Sequence, residues 1–188
     1  MKLTKQLVRR LIEPIAKPFA RVNPNVLTMV GLVLCCAAGM LLATEHHVWA
    51  GVLMVVGGFF DLLDGTVARQ NGSSTPFGGF LDSVSDRFGD AVVLLGAMWG
   101  GYTALGAIPD WLLGTVAILA CLMVSYTRAR AEAAGLSMEG VGIGERGERM
   151  CVLAAGAVLG VLNWAVAIVV AMATITLLQR IWYARKML

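Results

Sequence analysis

Charge is scarce in this chain: Asp, Glu, Lys and Arg make up 14% of its 188 residues. Soluble domains carry about a quarter, so a water-facing surface of ordinary extent is excluded. The four cysteines, Cys35, Cys36, Cys121 and Cys151, contain no Cys-x-x-Cys pair, which argues against zinc-ribbon and dithiol redox chemistry. They read as small core residues. The two histidines, His46 and His47, are adjacent in one short loop and are assigned no role. There is no P-loop, no low-complexity tract and no convincing internal repeat. The opening 25 residues are charged and lack a continuous apolar stretch, so no cleavable signal peptide is expected.

What the chain has in abundance is apolar surface. Hydrophobic residues make up 58% and the mean hydropathy is +0.76, which places it in the membrane class. Apolar stretches of spanning length fall at about 26–42, 48–66, 80–99, 111–127, 149–162 and 165–178. The expected fold is an all-α integral membrane protein with six transmembrane helices, the fifth beginning near residue 144 and the sixth continuing to about Tyr183.

Six spans make the loops alternate sides, and all fifteen Lys and Arg residues then fall on one side. Lys2, Lys5, Arg9, Arg10, Lys17 and Arg21 precede the first span, and Arg69 and Arg87 flank the second loop. Arg128, Arg130, Arg146 and Arg149 lie around the fourth, and Arg180, Arg185 and Lys186 close the chain. The positive-inside bias puts both termini in the cytoplasm, with the protein multi-pass in the cytoplasmic membrane. Leu3, Leu7, Val8, Leu11, Ile12 and Ile15 recur at helical spacing until Pro14 and Pro18 interrupt, with basic residues on the other faces. Residues 2–20 are therefore expected to form an N-terminal amphipathic interfacial helix, with 21–188 as the six-helix bundle.

Against this background four aspartates, Asp61, Asp64, Asp82 and Asp86, stand inside spans two and three. Each costs roughly 2.5–3.5 kcal/mol at a helix centre. The basic residues nearest in sequence, Arg69 and Arg87, are too few to neutralise them, which points to a divalent cation. Spacings of three and four residues give each helix a two-carboxylate face. The Gly-, Ser- and Pro-containing turn from Gln70 to Gly79 is expected to set the two helices side by side and antiparallel, with their carboxylates converging. All-oxygen ligation favours Mg²⁺ or Mn²⁺, and two such ions would suit phosphoryl transfer. Gly65, Ala68 and Gly78 leave room for a diphosphate near the backbone, and Arg69 could offset its charge.

The string Asp-x2-Asp-Gly-x2-Ala-Arg-x8-Gly-x3-Asp-x3-Asp, filled by Asp61, Asp64, Gly65, Ala68, Arg69, Gly78, Asp82 and Asp86, resembles the signature of the CDP-alcohol phosphotransferase family at every fixed position. The resemblance covers essentially the whole chain. It implies one membrane domain over 1–188 and a homodimer. It also implies transfer of a phosphatidyl-type group (diacylglycerol or archaeol phosphate) from a CDP-lipid to an alcohol, with release of CMP. On these positions Asp61, Asp64 and Asp82 would be ligands of two divalent ions, and Asp86 both a ligand and the general base. Pro24-Asn25-Val-Leu-Thr28 looks like the family's amino-terminal element that helps enclose the nucleotide, which adds Asn25 and Thr28 to the donor site.

The acceptor is read from the arginines around the fourth loop. Arginines at the cytoplasmic ends of two further spans suit a second phosphate, and these segments resemble the phosphatidylinositol phosphate and archaetidylinositol phosphate synthases. That resemblance implies Arg128, Arg146 and Arg180 as binders of an inositol phosphate. The expected partners are thus a CDP-lipid donor, an inositol phosphate acceptor and membrane lipids, with no nucleic acid. Two enzyme and non-enzyme alternatives remain: a phosphatidylglycerophosphate synthase using glycerol 3-phosphate, and an intramembrane ion or proton transporter. The latter is disfavoured because the carboxylates cluster near one face. A scaffold is disfavoured because unpaired carboxylates make poor structural glue.

Overall fold

The structure, a computed structural model, describes residues 12–188. Among them lie six main helices and no strand: α1 (Pro24–Ala43), α2 (His47–Gln70), α3 (Pro76–Trp99), α4 (Asp110–Ala133), α5 (Arg146–Val158) and α6 (Leu162–Met187). A short helical piece at 12–16 and a 3-10 turn at Lys17–Phe19 come first.

Helix starts follow sequence chemistry on the side that carries the aspartates. Asn23 caps α1 by accepting from the Asn25 amide at 3.0 Å, with Pro24 in the first turn. Thr75 caps α3 the same way, accepting from the Gly78 amide at 3.0 Å, again with proline following. At α5, Glu145 and Glu148 form a reciprocal capping box. The fifth and sixth helices differ from the apolar runs that announced them. α5 stops at Val158 after 13 residues, about 20 Å at 1.5 Å per residue, whereas α6 runs on through its basic tail to Met187.

Four helices, α1, α2, α4 and α6, are long and apolar enough to cross a membrane. α3 has the length but carries Asp82, Asp86, Arg87 and Asp90, and α5 is short. Many outward side chains are large and apolar, among them Val33, Met40, Val55, Leu119 and Leu178. In hydrocarbon that is the expected exterior.

The core is assembled from small and branched residues of all six helices, including Ala38, Met54, Val93, Ala117, Leu153 and Val169. α1 packs against both α2 and α3; α4 joins α3 to α6, and α5 joins α2 to α6. The α1–α3 approach depends on glycine: a Cβ on Gly96 would overlap the Gly39 carbonyl. On the opposite side of the bundle His47 Nδ1 lies 2.7 Å from the Ala157 carbonyl oxygen, linking α2 to the end of α5. None of the four cysteines is paired; Cys35 and Cys121 are buried, while Cys151 faces outward and is no core residue.

Residues 2–11 of the expected interfacial helix lie outside the described residues. Its last part packs inward: Ile12 and Ala16 are buried with Leu27, Leu63 and Val67. Gln70 Nε2 donates to the Glu13 carbonyl at 3.3 Å and Asn71 Nδ2 to the Ala20 carbonyl at 2.5 Å. The segment is thereby fastened across the end of α2, beside the aspartates.

Candidate active site

Asp61 and Asp64 lie one turn apart on α2, as Asp82 and Asp86 do on α3. The expectation that these two helices pack directly side by side is corrected by the structure. α1 packs on both, and α2 and α3 share at most a marginal backbone contact. The physical reason is that α1 presents small residues to each: Gly31 approaches Gly57 on α2, and Gly39 approaches Gly96 on α3. The aspartate helices are held together through α1, and a gap opens between their aspartate-bearing ends.

Carboxylates from both helices converge at that gap. One oxygen each from Asp61, Asp64 and Asp82 lies within 4.8 Å of the others. Asp64 is the most enclosed of the three, and Thr28 on α1 donates to its Oδ2 at 2.5 Å. Three carboxylates with no His or Cys among them fit one hard divalent cation. Asp86 is turned elsewhere. Its Oδ1 lies 2.9 Å from Arg146 Nη1, which also stands 3.0 Å from Asp61 Oδ2, while Arg146 Nε donates to Asp90 Oδ1 at 3.0 Å.

Within the chain, the arginine closest to the carboxylates is neither of the two nearest in sequence. Arg87 donates to the Ser83 carbonyl at 2.6 Å and is 3.9 Å from Asp86. Arg69 donates to Thr66 Oγ1 at 3.3 Å. It is Arg146, distant in sequence, that enters the carboxylate cluster. Asp90 was not among the expected site residues. The signal for it was available, because Asp82, Asp86 and Asp90 follow one another at four-residue intervals on one face of α3.

Beside the three-carboxylate group lies a cavity of about 590 Å³. All six residues expected to bind the donor line it: Asn25, Thr28, Gly65, Ala68, Arg69 and Gly78, along with Asp64 and Asp82. A Cβ on Gly78 would stand 3.1 Å from Thr75 Oγ1 and 3.2 Å from Asn25 Oδ1, so the wall there has no space for a larger residue. Arg21, Asn71, Ser73 and Ser74 also line the cavity and supply polar groups that the motif does not name.

The three arginines expected at the acceptor are not gathered into one open pocket. Arg128 is exposed and pairs with Glu132 at 2.8 Å. Arg180 is buried and donates to the carbonyls of Val141 at 3.1 Å and Val124 at 2.5 Å. Arg146 is engaged with the aspartates. None of the three lines the 590 Å³ cavity. Arg149, also buried, donates to the Gly144 carbonyl at 2.6 Å and steadies the loop before α5.

The profile of the CDP-alcohol phosphatidyltransferases matches residues 21–179. The archaetidylinositol phosphate synthase of Pyrococcus horikoshii is 36% identical over 183 residues, covering 96% of this chain and 94% of that protein. The archaetidylinositol phosphate synthase of Methanothermobacter thermautotrophicus is 38% identical over 185 residues, covering 95% and 91%. Among solved structures, the phosphatidylinositol phosphate synthase of Mycobacterium tuberculosis with CDP-DAG bound matches at a TM-score of 0.80 and 29% identity, covering 93% of this chain and 94% of that one. The same enzyme in complex with manganese and citrate also matches at 0.80 and 29%, covering 91% and 87%.

Proposed function

The chain belongs to the CDP-alcohol phosphatidyltransferase family, and from that premise we propose that its donor site is the cavity between α2 and α3 and its acceptor an inositol phosphate. It is a membrane enzyme that transfers a phosphatidyl-type group from a CDP-lipid to that acceptor and releases CMP, dependent on Mg²⁺ or Mn²⁺. The observation that carries this reading is that two of the three grouped carboxylates, Asp64 and Asp82, line the same cavity as the six donor residues.

In the proposed mechanism the cytidine diphosphate lies against Gly65, Ala68 and Gly78, where small side chains admit a phosphate close to the backbone, with Arg69 beside it. Asp61, Asp64 and Asp82 would hold a divalent cation, with Asp86 offering a carboxylate to a second, and cations bound there would supply charge neutralisation at the diphosphate. Asp86 is the general base. It takes the proton of the acceptor hydroxyl as that oxygen bonds to the lipid-bearing phosphorus, while the bond from that phosphorus to CMP breaks. Arg128, Arg146 and Arg180 are assigned to the acceptor phosphate, and Arg146 reaches the aspartates already.

The finer topology belongs to this proposal. One domain over 1–188 crosses the cytoplasmic membrane six times, α3 and α5 included, with residues 2–20 along the inner interface. Support comes from the aromatic residues: Trp49, Trp99, Trp111 and Trp164 stand exposed at the end of the bundle remote from the arginines, as a belt at the outer interface would. Trp182, with Lys186 3.6 Å from its ring, sits at the other end. The homodimer implied by the family resemblance is part of the same proposal.

The test is CMP release by purified protein with Mg²⁺ or Mn²⁺, a CDP-lipid of either lipid type, and inositol phosphate or glycerol 3-phosphate. Turnover with inositol phosphate well above that with glycerol 3-phosphate is expected; the reverse order overturns the acceptor.

A further inference from the structure

One guanidinium is shared among three carboxylates from two helices, and the sharing is unequal. Nη1 of Arg146 stands between Asp61 and Asp86, both residues of the motif, whereas Nε meets Asp90, which the motif does not contain. Asp90 is also the most enclosed of the three, its side chain 12% exposed against 31% for Asp61 and 17% for Asp86. Arg146 opens α5, and the backbone beneath it is pinned by the Glu145–Glu148 capping box and by the Arg149 bond to Gly144. Movement at Arg146 is thus a matter of its side chain.

Carboxylate oxygens that hold Nη1 are not free to ligate a cation, and a guanidinium among them repels one. The Nε bond to Asp90 uses a separate edge of the fork, so it is compatible with release of Nη1. Arg146 and the second cation therefore compete for Asp61 and Asp86, while Asp90 competes with neither.

We propose that Asp90 is a positioning residue for Arg146: it retains the guanidinium at the site when cation loading displaces Nη1 from Asp61 and Asp86, and so turns the freed Nη groups toward the acceptor phosphate. Cation binding and acceptor binding are coupled through this one side chain. The inference rests on the assignment of Arg146 to the acceptor phosphate.

The experiment is a Mn²⁺ titration of the detergent-purified protein without donor or acceptor, read by calorimetry or by the electron paramagnetic resonance of free Mn²⁺. Arg146→Gln removes the competitor and is expected to tighten the weaker Mn²⁺ step about tenfold. Should that variant not fold, Arg146→Met, which removes the charge but keeps an unbranched side chain, decides in its place: tighter binding supports the proposal, and unchanged or weaker binding overturns it. Asp90→Asn removes the place to which Arg146 retreats and is expected to weaken the same step severalfold. In a double-mutant cycle that loss should shrink to under about twofold once Arg146 is replaced. An equal loss in both backgrounds means Asp90 acts on the cation directly, and the proposal fails. In turnover, Asp90→Asn should raise the acceptor KM at least about fivefold more than the CDP-lipid KM; equal changes argue for a merely structural role. Because the titration contains no acceptor, it stands apart from the acceptor assignment, which fails on its own if inositol phosphate yields no CMP.

Discussion

Thr28 on α1 donates its hydroxyl to Asp64 Oδ2 on α2 at 2.5 Å, with both residues buried. The same hydroxyl lies 3.2 Å from the Pro24 carbonyl, so one side chain links the start of α1 to the cavity wall and to a carboxylate of the proposed cation site. Thr28→Val should deprive the enclosed Asp64 of its one side-chain hydroxyl donor, at a cost of about 1–3 kcal/mol. The expected result is a lower melting temperature without divalent cation, largely restored by Mn²⁺, and restored without it by Thr28→Ser. Equal destabilisation with and without Mn²⁺ would assign the bond to packing alone.

Gly78 offers a prediction confined to the donor. Its missing side chain lies between Asn25 Oδ1 and Thr75 Oγ1, the latter held in place by the α3 cap. Gly78→Val must push into the cavity, and the CDP-lipid KM should rise about tenfold or more, the KM for the acceptor changing far less. Parallel measurement of both constants checks this, and a rise confined to the acceptor would move the donor site elsewhere.

How far the sequence reaches can be judged residue by residue. Spacing alone put Asp61 with Asp64 and Asp82 with Asp86, and apolar runs marked the bodies of α1 and α3, because these are short-range properties of a helix. The residues that line the cavity were legible for the same reason, being carried by one contiguous motif and one helix start. What was not legible is long-range. That α1 holds α2 and α3 together depends on Gly39 meeting Gly96 across the core, and glycines in a membrane helix carry no label naming their partner. That Arg146 joins Asp61 and Asp86 depends on where α5 docks, so a search of sequence neighbours reached only Arg69 and Arg87. Arg180, expected at the acceptor phosphate, donates to the carbonyls of Val124 and Val141, a long-range contact that no local pattern announces.

The Gly39–Gly96 approach gives a prediction about stability. A methyl group at Gly96 meets the carbonyl, carbon and Cα of Gly39, all rigid backbone, with no flexible side chain to yield. Gly96→Ala should therefore separate α1 from α3 at a cost of about 1–3 kcal/mol, seen as a lower melting temperature in detergent. The displacement would also pull Asp82 away from Asp61 and Asp64, so Mn²⁺ affinity should fall in the same variant. Unaltered Mn²⁺ binding beside a lowered melting temperature would show that the site tolerates the shift.

Orientation is checked by labelling. Ser74, exposed between α2 and α3, and Ala107, exposed between α3 and α4, lie at opposite ends of α3. With the aspartates facing the cytoplasm, Ser74→Cys should react with a membrane-impermeant maleimide only after cells are opened, and Ala107→Cys in intact cells. The opposite pattern would invert the topology. Labelling of both positions from one side would mean that α3 does not cross.

Asp86 is the carboxylate with the most to lose from a change of charge that keeps its shape. Its neighbours Asp61, Asp64 and Asp82 group together without it, while Asp86 faces Arg146, the one acceptor-assigned arginine that reaches the aspartates. A base must meet the acceptor hydroxyl, and an acceptor phosphate drawn to Arg146 would bring that hydroxyl to the Asp86 side of the cluster. Asp86→Asn retains size and hydrogen-bonding capacity but cannot take the proton, so turnover should fall by about 10²–10⁴. Binding of the CDP-lipid, whose cavity is lined by Asp64 and Asp82 but not by Asp86, should persist within a few-fold in a direct binding assay. Loss of lipid binding together with turnover would make Asp86 a donor-site ligand instead of the base, and surviving turnover would transfer the proton to another group.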